Sequence, residues 1–305
     1  MKRGMLLFLI VLVYFSPCFG FELIVRGDSQ PGFGNEDYRM TRAIINDAIE
    51  YAESHCNDLR GIIMTGDYVR SGKNSDEWEE WLAAHEVALK YPVYPCIGNH
   101  DDEHSDCPWW SLSCEIESFT ETNYYQVFKM WRWWSVDIEE LHLVALDSNL
   151  EGFNSTTLEG DLLEEFQYDW FVKDLEENSD KPTIVFWHEP AYGSYTWFGK
   201  GHGSNGFMRE RYVSVCEEYG VKMVFYGHNH WYERVTVNEI QHVTTGGGGG
   251  TLLPTSPFFW DRVEGSEVNI TAFHWLVMNV NEDSIKVEVI HHFTHWLLDS
   301  FEIEI

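Results

Sequence analysis

Residues 93–101 read Val93-Tyr94-Pro95-Cys96-Ile97-Gly98-Asn99-His100-Asp101, an apolar run that ends in glycine and then in three side chains able to bind metal or move protons. The same order recurs along the chain. Residues 23–25 lead to Gly27-Asp28, 62–64 to Gly66-Asp67, 184–187 to His188, and 221–226 to Gly227-His228. Short apolar runs bounded by glycine read as buried strands. Between them, Ile44, Ile45, Ala48, Ile49 and Ala52 follow helical spacing, as do Leu162, Phe166, Trp170 and Phe171, and then Tyr212, Val215 and Cys216. Alternating strands and helices predict an α/β fold around a mainly parallel sheet. In such a sheet the carboxyl ends of the strands share one edge, where ligands bind. Five strand ends would therefore bring two carboxylates, an amide and several imidazoles to one place.

After Gly250 the pattern changes. Segments 272–280, 285–291 and 296–305 read as successive strands with turns at 281–283 and around Thr294, which predicts a second, more antiparallel sheet. Stretches 102–123 and 149–160 read as polar insertions. The glycine run 246–250 predicts a tight loop where backbone passes close to something else.

With 305 residues, 44% of them hydrophobic, the chain can bury a substantial core. Lys2 and Arg3, the apolar stretch 5–15 and the small residues up to Gly20 have the layout of a secretory signal, predicting export with cleavage near Gly20. The apolar stretch is shorter than the roughly 20 residues of a membrane-spanning helix. That leaves residues 21–305 as one domain, with no stable membrane insertion after cleavage. A net charge of −30 repels nucleic acid and anionic membranes. The expected partner is a small phosphorylated molecule and not a nucleic acid duplex; the sequence sets no oligomeric state. Export predicts a disulfide between Cys107 and Cys114, whereas Cys96, inside an apolar run, reads as a small buried hydrophobe. Asn154 and Asn269 open glycosylation sequons.

His228 and His230 are two apart, so an extended backbone points both rings to one side. Oxygen and imidazole donors together suit iron, zinc or manganese over thiolate-preferring metals. Isolated histidines such as His142, His242 and His274 read as structural. Trp131, Trp133 and Trp134 read as packing, while Trp109 and Trp110 are placed to form a rim over the site.

In chain order, Gly27-Asp28-Ser29-Gln30, Gly66-Asp67, Gly98-Asn99-His100-Asp101, His188-Glu189-Pro190 and Gly227-His228-Asn229-His230 resemble the motifs of the calcineurin-like metallophosphoesterases. Residues 226–234, the glycine run and Asp299-Ser300-Phe301 look closest to the purple acid phosphatase branch. The resemblance implies a four-layer α/β/β/α sandwich with two mixed sheets and a pair of divalent or trivalent metal ions. By its motifs Asp28 and His230 hold one ion, Asn99, His188 and His228 the other, and Asp67 bridges. It implies hydrolysis of phosphomonoesters by a metal-bridging hydroxide, with His100 serving the leaving group and Asp101 orienting its ring.

The chain departs from that branch in three places. Arg70 stands where a tyrosine ligand is expected, so the resemblance does not carry the purple colour over, and Tyr68 should point elsewhere. Gln30 replaces a histidine of many relatives, its amide either coordinating or hydrogen-bonding. Glu189 replaces a positive or neutral group, leaving Arg70, with His202 and Lys200, to meet the phosphate. Phosphodiester hydrolysis, of nucleotide or glycerophosphodiester type, is the nearest alternative. A further one is an inactive secreted protein that binds glycans through its 14 tryptophans.

Overall fold

The computed structural model describes residues 20–32, 37–102, 118–150, 158–195, 203–256, 258 and 262–305. Strand β1 (Gly20–Arg26) is followed by helix α1 (Arg39–His55), β2 (Leu59–Met64), α2 (Ser75–Ala84), β3 (Val93–Pro95) and the short α3 (Asn123–Phe128). Then come β4 (Trp134–Ile138), β5 (Leu141–Ala145), α4 (Leu158–Glu177), β6 (Thr183–Phe186) and a helical stretch α5 over 206–218. The chain closes with β7 (Met223–Tyr226), β8 (Tyr232–Val237), β9 (Ile240–Thr245), β10 (Ser266–Ile270), β11 (His274–Asn281), β12 (Ser284–His291) and β13 (Leu297–Glu304).

Two mixed sheets result. One runs β13-β12-β11-β1-β2-β3 and the other β10-β8-β9-β7-β6-β5-β4. Leu23 and Val25 of β1 meet Leu143, Ile184 and Phe225 in the core between the sheets. The alternate residue Ile24 faces outward beneath Ile44, Ile45, Ala48 and Ile49 of α1 and Trp81 of α2. On the far side Val144, Val185 and Val224 lie under Phe171 and Tyr212 from α4 and α5. Four layers, α/β/β/α, follow, as the sequence motifs imply. Because helices cover the outer faces and the other sheet covers the inner ones, the central strands read as unbroken apolar runs. Asn74 caps α2, its side chain accepting from the amide of Asp76, with Asp76 and Glu77 in the first turn.

The final strands correct one expectation. They do not build a second sheet: β11 pairs antiparallel with β1, Val25 opposite Leu276, and so extends the sheet that carries Asp28. β1 needs partners on both edges to satisfy its buried backbone, with β2 on one side and β11 on the other.

Cys96 and Cys216 are buried free thiols and Cys56 is half-buried. Trp134 donates its indole N–H to the Pro95 carbonyl at 2.9 Å and meets Phe186 edge-on, so it packs as the sequence predicts. Residues 1–19 of the expected signal segment 1–20, Cys107, Cys114, Trp109, Trp110, Asn154, Lys200 and His202 lie outside the described residues. Among the described residues, no helix is long and apolar enough to cross a membrane.

Candidate metal centre

Asp28 follows β1, Asp67 follows β2, Asn99 follows β3, His188 follows β6 and His228 follows β7, so both sheets deliver donors to one edge. The chain turns abruptly at these points. Asp28, Asp67 and His228 all have left-handed backbone, with φ of 57°, 55° and 66°. Such turns face the side chains back over the strand ends. Gly66 shares the conformation at φ 91°. Gly227 serves a different purpose: a Cβ there would stand 2.6 Å from the Thr65 carbonyl and 2.7 Å from Asp28 Oδ2. The glycine is required because loops from the two sheets touch.

The donors converge. Asn99 Oδ1 lies 3.0 Å from His188 Nε2 and 3.0 Å from His228 Nδ1. Asp67 Oδ1 is 3.3 Å from His188 Nε2, and Asp28 Oδ1 is 3.3 Å from His230 Nε2. Ligand atoms of Asp28, Asp67 and His230 all fall within 4.8 Å of one another. The other ring nitrogens are fixed by backbone: His188 Nδ1 by the Thr65 carbonyl at 2.8 Å, and His230 Nδ1 by the Thr251 carbonyl at 2.7 Å. A histidine held through one nitrogen by a carbonyl offers the lone pair of the other to a metal.

This donor set fits cations. Asp28 Oδ2 is buried with no partner among the described residues. Burial lowers the His188 imidazole, but the charge and hydrogen bond of Asp67, then Asp28, carry it up to about 10. His230 is raised in the same way, burial opposing and Asp28 prevailing. Asp67 is held well below the usual carboxylate range, His188 first among the groups that overcome its burial. Two buried carboxylates thus call for positive charge that protons or metal ions can supply.

The Gln30 amide lies among these donors: its Nε2 donates to Asp67 Oδ2 at 3.0 Å and faces His230 Nε2 at 3.4 Å. Its Oε1 is buried without a partner among the described residues, and a half-turn of the amide exchanges the two ends. Asp101 requires a correction. It does not touch the His100 ring; its carboxylate accepts the amides of Asp67, Tyr68 and Gly98 at 2.8 to 2.9 Å. Burial, then the charge of Asp67, pushes Asp101 up to about 8 against the pull of those amides. The His100 ring is positioned by the Arg70 carbonyl, 2.9 Å from Nδ1, while the His100 amide donates to Asp67 Oδ1 at 3.0 Å.

Above the donors lies a cavity of about 410 Å³, walled by Gln30, Pro31, Arg70, Glu77, His100 and Leu253. Arg70 stands there with its amide on Glu77 Oε2 at 2.7 Å and its guanidinium 3.8 Å from Glu77 Oε1. Tyr68 points elsewhere, its hydroxyl donating to the Cys96 carbonyl at 2.8 Å. Glu189 is turned to Asn205, whose Nδ2 donates to it at 2.9 Å. Glu189 is not among the residues that wall the cavity.

Sequence reasoning missed Thr65 and Thr251, which act through their carbonyls, and Glu77. The glycine run 246–250 carried the one available signal. Its amides reach back to the carbonyls of Gly27 and Asp28, at 3.0 and 2.9 Å, and it delivers Thr251 to His230.

A two-sheet sandwich whose strand ends gather carboxylates, an amide and imidazoles around one cavity defines a metal-site α/β class. Within it, the chain belongs to the calcineurin-like phosphoesterase family, whose model matches residues 23–232. It is similar to purple acid phosphatase 22 of Arabidopsis thaliana, 29% identical over 220 residues, covering 64% of this chain and 46% of that protein. Similarity to the glycerophosphodiester phosphodiesterase GpdQ of Enterobacter lignolyticus is 27% over 190 residues, covering 58% and 59%. Among solved structures, a purple acid phosphatase from yellow lupin seeds superposes with a TM-score of 0.71 at 18% identity, covering 93% of this chain and 54% of that one. The chain spans about half the length of the curated relatives it matches.

Proposed function

We propose that this chain is a secreted, dinuclear-metal phosphatase that hydrolyses phosphomonoesters of small molecules. The observation that carries the reading is Asn99 Oδ1 standing 3.0 Å from two imidazole nitrogens while Asp67 links that group to Asp28 and His230. Asn99, His188 and His228 would hold one cation, Asp28, His230 and the rotated amide of Gln30 the other, with Asp67 between them. Iron, zinc and manganese all suit these donors. When bound, such a pair supplies a water-derived nucleophile at neutral pH and counter-charge for the phosphoryl group.

The chain's own residues do the rest. His100, anchored through Nδ1, presents Nε2 to the cavity and protonates the leaving oxygen. Arg70 grips the phosphate, and its Nε has no partner among the described residues. His202, outside the described residues, is the second candidate for meeting the phosphate on the sequence reading. Asp101 acts indirectly, by fixing the loops of Asp67 and Asn99. Engagement of Glu189 with Asn205 removes the objection that a carboxylate beside His188 would repel a doubly charged phosphate. Export rests on the basic start at Lys2 and Arg3, the apolar stretch 5–15 and the small residues up to Gly20.

Phosphodiester hydrolysis is the second reading. The likeness to a glycerophosphodiester phosphodiesterase and the carboxylate of Glu77 on the cavity wall both favour a singly charged phosphate. Purified protein loaded with manganese, zinc or iron should release p-nitrophenol from p-nitrophenyl phosphate faster than from its bis-ester. The reverse order selects the diesterase, and no turnover of either by protein carrying two metals per chain defeats both.

A further inference from the structure

Arg26, the last residue of β1, is fully buried at the outer face of its sheet. Its Nη2 donates to the Gly248 carbonyl, while Nε and Nη1 have no partner among the described residues. Its one hydrogen bond is to that neutral carbonyl, and among the described residues no carboxylate is paired with it. Val25 stands opposite Leu276 and Ile24 opposite Val277, so the continuing register sets Arg26 opposite Trp275. Strand alternation puts both side chains on the face that Ile24 and Val277 share, under α1 and α2. Trp275 is fully buried and its indole N–H is also unpartnered among the described residues.

His85, just after α2, completes the group. It stacks on Trp81 with ring centroids 4.1 Å apart and directs Nδ1 to the Trp81 carbonyl at 2.9 Å. Its Nε2 is unpartnered among the described residues, and after burial the charge of Arg26 is what lowers its basicity most.

A buried guanidinium without a counter-charge is among the costliest groups a fold can carry. A water molecule satisfies hydrogen bonds but leaves the charge uncompensated. We propose that Arg26 and Trp275 hold a small inorganic anion, chloride in ordinary media, between the first sheet and helices α1 and α2. A water beside the ion hands a hydrogen to His85 Nε2. The ion sits one backbone layer behind the candidate metal centre, because Gly248 binds Arg26 on one side and the Gly250 amide binds the Asp28 carbonyl on the other. This site stands whether or not the chain is a phosphatase.

Bromide is the probe. In crystals of the metal-loaded protein grown in bromide, an anomalous peak is expected within hydrogen-bond reach of Arg26 Nη1 and Trp275 Nε1. In solution, the Tm of the wild type should rise when gluconate is replaced by chloride at constant ionic strength. Trp275→Phe should shrink that rise and Arg26→Met should abolish it. An ordered water in place of bromide overturns the proposal, as does a Tm that follows chloride equally in wild type and Trp275→Phe. The crystal and Trp275→Phe decide the matter even if Arg26→Met does not fold.

Discussion

Asp101 binds the amide of Asp67 at 2.8 Å and thereby holds in place a carboxylate to which it has no direct side-chain link. Asp101→Asn sets an NH2 group against two backbone donors whichever way the amide lies, since Asp67 and Gly98 share Oδ2 and Tyr68 and Val69 share Oδ1. Leaving buried backbone donors without an acceptor is expected to cost about 1–3 kcal/mol and to lower metal content in parallel. Thermal melts beside elemental analysis check this; full metal content with an unchanged Tm would refute it.

His100→Ala behaves differently if His100 serves only the leaving group. Both metals stay, because the ring lies on the Arg70 carbonyl, and turnover falls by roughly 10² to 10⁴. Metal loss measured in that variant would make His100 a ligand.

Gly227→Ala forces a methyl between the Thr65 carbonyl and Asp28 Oδ2, 2.6 and 2.7 Å from its position. Backbone cannot retreat as a flexible side chain can. A destabilisation of about 2 kcal/mol or more is expected, with weakened metal binding by calorimetry.

His242 and His274 are buried and neutral, pushed down by burial to about 3 and about 4. Their unfolded counterparts bind protons near pH 6.5, so stability is full above that value and falls as pH drops toward 3. Each contributes a slope of up to about 1.4 kcal/mol per pH unit. His242→Gln keeps an acceptor for the Tyr226 hydroxyl, now 2.7 Å from Nδ1, and should flatten the acid limb of a urea-stability profile.

His142 has the opposite sign. Burial lowers it, but Asp174 at 2.8 Å and Asp137 at 2.7 Å raise it overall, tying the β4–β5 hairpin to α4. Its contribution is whole below pH 6.5 and fades as pH climbs through the raised value. His142→Asn should remove that alkaline decline, read from a urea-stability profile above neutral pH.

Much of this was legible in the sequence because metal-binding side chains stand directly after apolar runs, and a parallel sheet sends such ends to one edge. Asp28, Asp67, Asn99, His188, His228 and His230 are brought together for that reason. The role of Asp101 was not legible, since its partners are backbone amides and carry no residue identity. Thr65 and Thr251 escaped for the same reason. The last strands were seen as strands, but which sheet they join depends on pairing β11 with β1 across some 250 residues, and local pattern holds no information on that.

The left-handed turns at Asp28, Asp67 and His228 restrict which amino acids could ever occupy these corners. Aspartate, asparagine and histidine tolerate that backbone far better than other residues do, and all three are metal donors. A branched threonine would be strained by the main chain before its oxygen could be tried. The curvature of the peptide thus acts as a filter on inheritance, favouring among non-glycine residues side chains whose chemistry happens to suit a cation.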